Sequence, residues 1–409
     1  MIPMDRKQEV DCMPSVISEL SGMINQKLTE VPPSAIRAFD NEISSVPGII
    51  KLTLGEPDFA VPDHVKMAAV KSIAEDDSHY SQSAGKIELR EAIAAYLKRT
   101  RNVDYDPASE IVVAVGATEA LAACTFALLN PGDKVLVPTP VFPLYFPLIS
   151  LTGAEVVMIN TAPEGFVLTP ERLKKVLEEE GSSVKAILLN YPSNPTGRSY
   201  SAKLLDELAE ILKEHHLLVL ADEIYSELTY DAEHSSLATR LPGQTLLISG
   251  LSKSHAMTGY RLGYVAGPSQ LIGAVTKMHA FMVTCINDSA QAAAVEALNH
   301  GDNDPVVFRE AYRHRRDYMV GRMRKMGFEM AVPEGAFYVF AKIPKEFGTD
   351  DFAFALRLAK EGRLGIIPGS VFGSGGEGYV RISYAASDEK IEEAMNRLRI
   401  NIKFCGKNT

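Results

Sequence analysis

The chain has 409 residues, enough for one large core and a second, smaller domain, since single cores stop growing at roughly 250–300 residues. Apolar residues make up 46% and charged residues 23%, with no low-complexity tract or fixed-period repeat, which excludes a disordered or solenoid protein. With 42 basic against 52 acidic residues the formal charge is −10, so there is no general attraction to nucleic acid or to an anionic membrane.

The N-terminal stretch MIPMDRKQEV has no apolar run behind its charges, and later apolar runs such as 217–221 are far too short to span a bilayer. A cytoplasmic location is expected. Residues 1–50 read as an N-terminal segment joining a small domain, 51–300 as the large domain and 301–409 as the small C-terminal domain. From about 116 to 267, helical stretches alternate with short apolar runs that stop abruptly at polar residues or glycine. Runs 134–138 (KVLVP), 184–190 (VKAILLN), 217–221 (LLVLA) and 245–249 (TLLIS) are predicted as buried strands, with helices over 117–129 and 201–215. After 301 the pattern changes to a charged helix over 308–325, strands at 337–341 and 379–383, and helices at 352–360 and 388–400. The predicted fold class is α/β: a mostly parallel central sheet covered by helices on both faces, plus a smaller α+β domain. Such sheets bind ligands beyond the carboxyl ends of their strands.

Cys12, Cys124, Cys285 and Cys405 form no CxxC and have no spacing to the nine histidines that suits a metal site, so no metal is expected and the thiols are read as reduced and structural. His215 and His216, adjacent at a helix end, point in different directions and do not share a ligand.

The chemistry-bearing residues cluster at strand ends. Lys253, in SGLSKSHAMTGYRLG, follows the strand 245–249 and precedes Arg261. A lysine desolvated among cations loses affinity for its proton and becomes an amine nucleophile toward an aldehyde, whereas an isolated one is an ordinary solvated loop residue. Asp222, in ADEIY, ends the LLVLA strand with Tyr225 three residues on; its carboxylate either serves a site or caps a following helix. Asn194 lies in NYPSNPTG, whose prolines force extended or turn backbone and which is good turn chemistry by itself. GATEAL, from 116, opens a helix after a Val-rich strand, so the amides of Ala117 and Thr118 suit a phosphate, or Thr118 is a plain N-cap. The string GSGGEG at 373–378 spells a dinucleotide-binding GxGxxG but precedes a strand instead of opening a helix, and reads as a flexible turn.

Taken in this order, GATEAL, PTPVFP, NYPSNPTG, ADEIY, SGLSKSHAMTGYRLG and YVRIS resemble the class I/II aminotransferases of the fold-type I pyridoxal-phosphate superfamily. The likeness covers nearly the whole chain and is greatest to the bacterial branch of aromatic and N-acetyl-diaminopimelate aminotransferases. It implies pyridoxal 5'-phosphate as cofactor, held by Lys253 as a Schiff base, with Lys253 also the acid-base catalyst. It further implies that Asp222 pairs with the ring nitrogen, that Asn194 and Tyr225 bond the phenolic oxygen, and that Phe142 stacks on the ring where many relatives carry tyrosine. The phosphate falls to Ala117, Thr118, Ser252 and Arg261, with Tyr80 reaching it across a homodimer interface. Arg381 is matched to the arginine that grips the substrate α-carboxylate, with Gly55 and Asn194 beside it; a surface ion pair is its other use. Gly250 departs from the pattern, since many relatives carry serine there.

The implied reaction is a ping-pong transfer of an amino group between an L-amino acid, aromatic by preference, and a 2-oxo acid such as 2-oxoglutarate. Aspartate and N-acetyl-diaminopimelate are the rival donors within the class. A carbon-sulfur β-lyase uses the same lysine on the same fold. A cofactor-sensing transcription regulator would need a DNA-binding domain ahead of LGEPDF, where only about 50 residues stand, without a basic helix pair. The expected partners are small amino acids and 2-oxo acids and a second copy of the chain, not nucleic acid or membrane.

Overall fold

The computed structural model describes residues 16–17, 20 and 22–405, with backbone alone for 403–405. Cys12, the side chain of Cys405 and residues 1–15, 18–19 and 21 of the expected N-terminal segment lie outside the described residues. Cys124, buried, and Cys285, half-buried, are free thiols. The chain divides at Pro33 into two compact units. In the first, Asn25 caps the helix Gln26–Thr29, its side chain accepting from the Lys27 amide at 3.0 Å.

The second unit, Ser34–Thr409, begins with helix Ala35–Ile43 and the two-residue strand β1, Ile50–Lys51. Then come β2 Ile111–Ala114, β3 Lys134–Thr139, β4 Glu155–Asn160, β5 Val184–Asn190, β6 Leu218–Asp222, β7 Thr245–Gly250 and β8 Gly263–Ala266. Strands β2 to β8 make one seven-stranded sheet in the order β2-β8-β7-β6-β5-β3-β4. β8 is antiparallel to both its neighbours, and every other pairing is parallel.

The Val, Ile and Leu runs form these strands because both faces are covered. Side chains alternate across a strand. Val135, Val137 and Leu188 pack on one face with Leu121 and Cys124 of helix Gly116–Leu128. Leu136, Ile187 and Leu189 pack on the other with Leu205 and Leu208 of helix Ala202–Glu214 and Leu173 of helix Pro170–Glu180. The strand predicted over 217–221 is shifted by one, so that Asp222 is its last residue. β4 and β8 were not among the predicted strands: β4 is a half-exposed edge and β8 has only four residues, the first a glycine. Helices Asp63–Ala74, Ile87–Arg101, Ser269–Val283 and Asp288–His300 likewise fall between the predicted elements.

The charged helix runs Asp304–Arg324, one turn earlier than its charge pattern predicts, because Pro305 is tolerated in a first turn. Beyond it lie β9 Glu329–Met330, β10 Tyr338–Lys342, β11 Leu364–Gly365, β12 Ile367–Pro368 and β13 Tyr379–Ser383. Four of these pair antiparallel in the order β12-β13-β10-β9, with Phe340 directly opposite Arg381. β11 pairs parallel with β1, and Ile36, Phe39 and Ile43 join the same core as Val320, Phe340 and Ile382. The GSGGEG turn is tied down instead of loose, since the Asp351 carboxylate accepts the amides of Ser370 at 2.7 Å and Gly378 at 3.4 Å. Among the described residues no helix is long and apolar enough to cross a membrane.

Candidate active site

The carboxyl ends of β5, β6 and β7 lie side by side, with Asn190 opposite Asp222 and Asp222 opposite Ile248. This brings the NYPSNPTG turn, Asp222 and Lys253 to one edge of the sheet. The Asn190 side chain ties the first two together, donating to the Asp222 carbonyl at 3.1 Å and accepting from the Asn194 amide at 2.9 Å.

Asp222 is buried, and loss of hydration pushes its carboxyl up to about 6. Two hydrogen bonds restrain the shift: the Tyr145 hydroxyl donates to Oδ2 at 2.7 Å and the Ile224 amide to Oδ1 at 3.1 Å. Asp222 does not cap the short helix that follows, Ser226–Leu228, which starts at Tyr225 without a side-chain cap; its bond to the Ile224 amide is a local turn contact two residues on. Lys253 stands three residues beyond β7, and its Nζ donates to the Gly55 carbonyl at 2.7 Å. Burial lowers its proton affinity to about 8, with Glu56 opposing and Arg261 and Arg381 adding to the effect.

Arg381, on β13, is 2% exposed and has no carboxylate partner among the described residues. It donates to Asn194 Oδ1 at 2.9 Å and to the Thr53 carbonyl, while its Nε has no partner. Its guanidinium lies 4.6 Å from the Tyr338 ring centroid and 5.0 Å from that of Phe372. Burial lowers its proton affinity, and nearby Tyr338 and Tyr225 oppose that. An arginine stays charged at neutral pH, so Arg381 is a desolvated cation whose charge no carboxylate among the described residues offsets. Tyr225 is buried with its hydroxyl 2.8 Å from that of Tyr338.

Helix Gly116–Leu128 opens beside Arg261. Gly116 has φ of +77°, and a Cβ there would lie 2.6 Å from an Arg261 Nη, so the close approach requires glycine. Glu119 caps this start by accepting the Val115 amide at 2.9 Å. The amides of Ala117 and Thr118 are therefore at an exposed helix N-terminus with a guanidinium next to it. Ser252 is buried beside Lys253, and Phe142 is half-buried with its ring edge-on to Tyr145. Tyr80 stands apart, 88% exposed and without a side-chain hydrogen bond among the described residues.

Sequence reasoning missed Tyr145, Tyr338 and Thr53. Tyr145 follows Phe142 at a three-residue interval, a signal that it turns to the same side; Tyr338 sits in a strand buried at every position but its final lysine, which gives no face away. It also missed a buried ionic cluster behind Asp222, in which Glu223 accepts from Arg101, Tyr191, His234 and Ser236. Among the described residues no three His, Cys, Asp or Glu side chains converge as a metal site.

A mixed, mostly parallel sheet that presents a lysine, a carboxylate and a helix start at its carboxyl edge defines a fold-type I pyridoxal-phosphate enzyme. The family described as aminotransferase class I and II matches residues 47–398, and this chain belongs to it. It is 42% identical to a probable N-acetyl-LL-diaminopimelate aminotransferase of Bacillus subtilis, over 92% of this chain and 95% of that one. It is 40% identical to an aspartate aminotransferase of Pyrococcus abyssi, over 92% and 97%. The solved structure of an aromatic aminotransferase from Pyrococcus horikoshii OT3 superposes with a TM-score of 0.84 at 38% identity, over 90% of this chain and 99% of that one. The protein is an aminotransferase that uses pyridoxal phosphate and acts on amino acids and 2-oxo acids.

Proposed function

We propose that the enzyme moves an amino group between an aromatic L-amino acid and a 2-oxo acid such as 2-oxoglutarate by a ping-pong mechanism, with Lys253 as its catalytic lysine. The observation that carries the catalytic reading is Lys253, depressed to about 8 at the carboxyl edge of the large sheet, together with buried Arg381 of β13, which bonds Asn194 of that edge and has no carboxylate partner among the described residues. The aromatic donor is supported by the 38% identity to the Pyrococcus horikoshii aromatic aminotransferase. N-acetyl-LL-diaminopimelate is the second reading, favoured by the 42% identity to the Bacillus relative named for it.

The residues fit the cofactor by their donor chemistry: an amine with depressed proton affinity for its aldehyde, a buried carboxylate for its ring nitrogen, and a helix start with Arg261 for its phosphate. In this reading Ala117, Thr118, Ser252 and Arg261 hold the phosphate, Phe142 covers the ring, and Asn194 and Tyr225 meet the phenolic oxygen. When bound, pyridoxal phosphate supplies an electron sink for the substrate's α-carbon. Arg381, helped by Asn194 and Gly55, binds the α-carboxylate and fixes the substrate's orientation. With the cofactor bound, Lys253 would take the α-proton at Nζ as the neutral amine and then, as the ammonium, give it to the cofactor carbon, serving first as base and then as acid. Asp222 keeps its charge for the pyridinium because Tyr145 and the Ile224 amide hold it.

The homodimer belongs to the same proposal. It is supported by the exposed Tyr80 and by Met67, Val70, Ile73 and Phe281, which are all more than half exposed. So do the cytoplasmic location and the division into a large domain over 51–300, a small one over 301–409 and an N-terminal segment 1–50 that joins it.

An absorbance spectrum with single amino acids and no 2-oxo acid tests the reading. Bleaching of the bound-cofactor band by phenylalanine or tyrosine ahead of aspartate and N-acetyl-LL-diaminopimelate is expected. Lys253→Ala abolishes the band and lowers kcat by roughly 10⁴-fold, at the upper end for a lost acid-base catalyst. A band that survives in that variant overturns the role of Lys253, and pyruvate with ammonia from cystathionine would instead mark a β-lyase.

A further inference from the structure

Tyr338 is the first residue of β10 and is 1% exposed; it belongs to the core that includes Phe337 and Phe340, yet it also touches the residues of the site. Its ring face seats the Arg381 guanidinium at 4.6 Å. Its hydroxyl is 2.8 Å from that of Tyr225, and the two rings meet edge to face at 5.9 Å. The same hydroxyl abuts Gly55, where any Cβ would collide with it, and the Gly55 carbonyl is the acceptor for Lys253 Nζ at 2.7 Å. One phenol thus touches the carboxylate-binding arginine, the loop that meets Lys253, and Tyr225.

We propose that Tyr338 is a positioning residue that couples the substrate-carboxylate seat to Tyr225 and Lys253, its ring holding Arg381 and its hydroxyl holding Tyr225. This rests on the roles given above to Tyr225, Lys253 and Arg381. The direction of the tyrosine pair follows from proton inventory. A cofactor oxyanion only accepts, so Tyr225 must spend its single proton there, which leaves Tyr338 as the donor of the 2.8 Å bond. Donation into the Tyr225 oxygen makes Tyr225 the stronger donor in turn, because hydrogen bonds in a chain polarise one another. Ring and hydroxyl therefore have separable tasks. The ring stabilises the desolvated guanidinium; the hydroxyl sets how strongly Tyr225 favours the anionic form of its partner.

The test compares Y338F with Y338L in the holoenzyme. The readouts are the pH midpoint of the bound-cofactor absorbance and the Kd of 3-phenylpropionate, an unreactive carboxylate. Y338F keeps the ring and should hold carboxylate affinity within about threefold while its midpoint rises by about half a pH unit. Y338L loses both groups and should also weaken the carboxylate by roughly tenfold. An unchanged midpoint in Y338F overturns the coupling, and carboxylate affinity falling equally in both variants overturns the separate role of the ring. The Y338F midpoint decides even if Y338L fails to fold. A band that persists in Lys253→Ala would sink the underlying assignment instead, whatever Tyr338 does.

Discussion

Asp222 and Glu223 are adjacent carboxylates, both buried, and they live in opposite electrostatic worlds. Asp222 faces the site with two hydrogen bonds and no ion pair, and burial pushes it up to about 6. Glu223 is 0% exposed, and burial would raise it too, but His234 and Arg101 outweigh that and hold it below its usual range. Its Oε1 accepts from Ser236 at 2.5 Å and Tyr191 at 3.0 Å, its Oε2 from His234 at 2.8 Å and Arg101 at 3.2 Å. Arg101 is paired further with Glu227 at 2.8 Å. Asp222 is left without an ion pair, as its proposed cofactor role would require, whereas Glu223 has a partner for each of its lone-pair directions.

The largest expected effect breaks the satisfied side. Glu223→Ala removes the carboxylate shared by buried Arg101 and His234, leaving Arg101 with Glu227 alone, and should cost about 3 kcal/mol of stability, read from the denaturant midpoint. A loss below 1 kcal/mol would mean the cluster is not what holds this region.

The opposite sign is expected one residue earlier. Because the folded Asp222 binds its proton more tightly than the unfolded chain, its contribution falls as pH rises from the ordinary aspartate value of 3.8 to about 6. Above that the charged form penalises the apoenzyme by about 3 kcal/mol, two pKa units at roughly 1.4 kcal/mol each. Asp222→Asn should therefore stabilise the apoenzyme at pH 7 while turnover falls; a destabilised variant would show that Asp222 is structural. Glu223 works the other way, its stabilisation being present above pH 4.5 and lost as pH falls through its lowered folded value.

The smallest effect sharpens the contrast. Tyr145→Phe removes the 2.7 Å bond to Asp222, a hydrogen bond to a charge worth about 2 kcal/mol. The falling limb of apoenzyme stability attributed to Asp222 should then extend about one pH unit higher in urea titrations at fixed pH. No extension would mean that the bond does not restrain the carboxyl.

Much of this was legible in the chain. The runs at 184–190 and 379–383 are the observed strands, and Asp222 was expected at a strand's carboxyl end because LLVLA stops at an acid. Lys253, Asn194 and Arg381 were singled out through short motifs; the first two lie in local turns and Arg381 within β13. Tyr145, Tyr338 and the Arg101–Glu223 pair were not, since their partners lie 77, 113 and 122 residues away. β8 was missed because a four-residue antiparallel strand gains its identity from the neighbours it inserts between, not from its own pattern.

The sequence by itself determined the fold class, the strand ends that carry the site, and the presence of an amine, a carboxylate and a guanidinium of the right kinds. Only the tertiary structure decided their ionic character. Proton affinity depends on what is packed around a group and what is not, and for Asp222, Lys253 and Arg381 that is burial together with partners brought from distant parts of the chain.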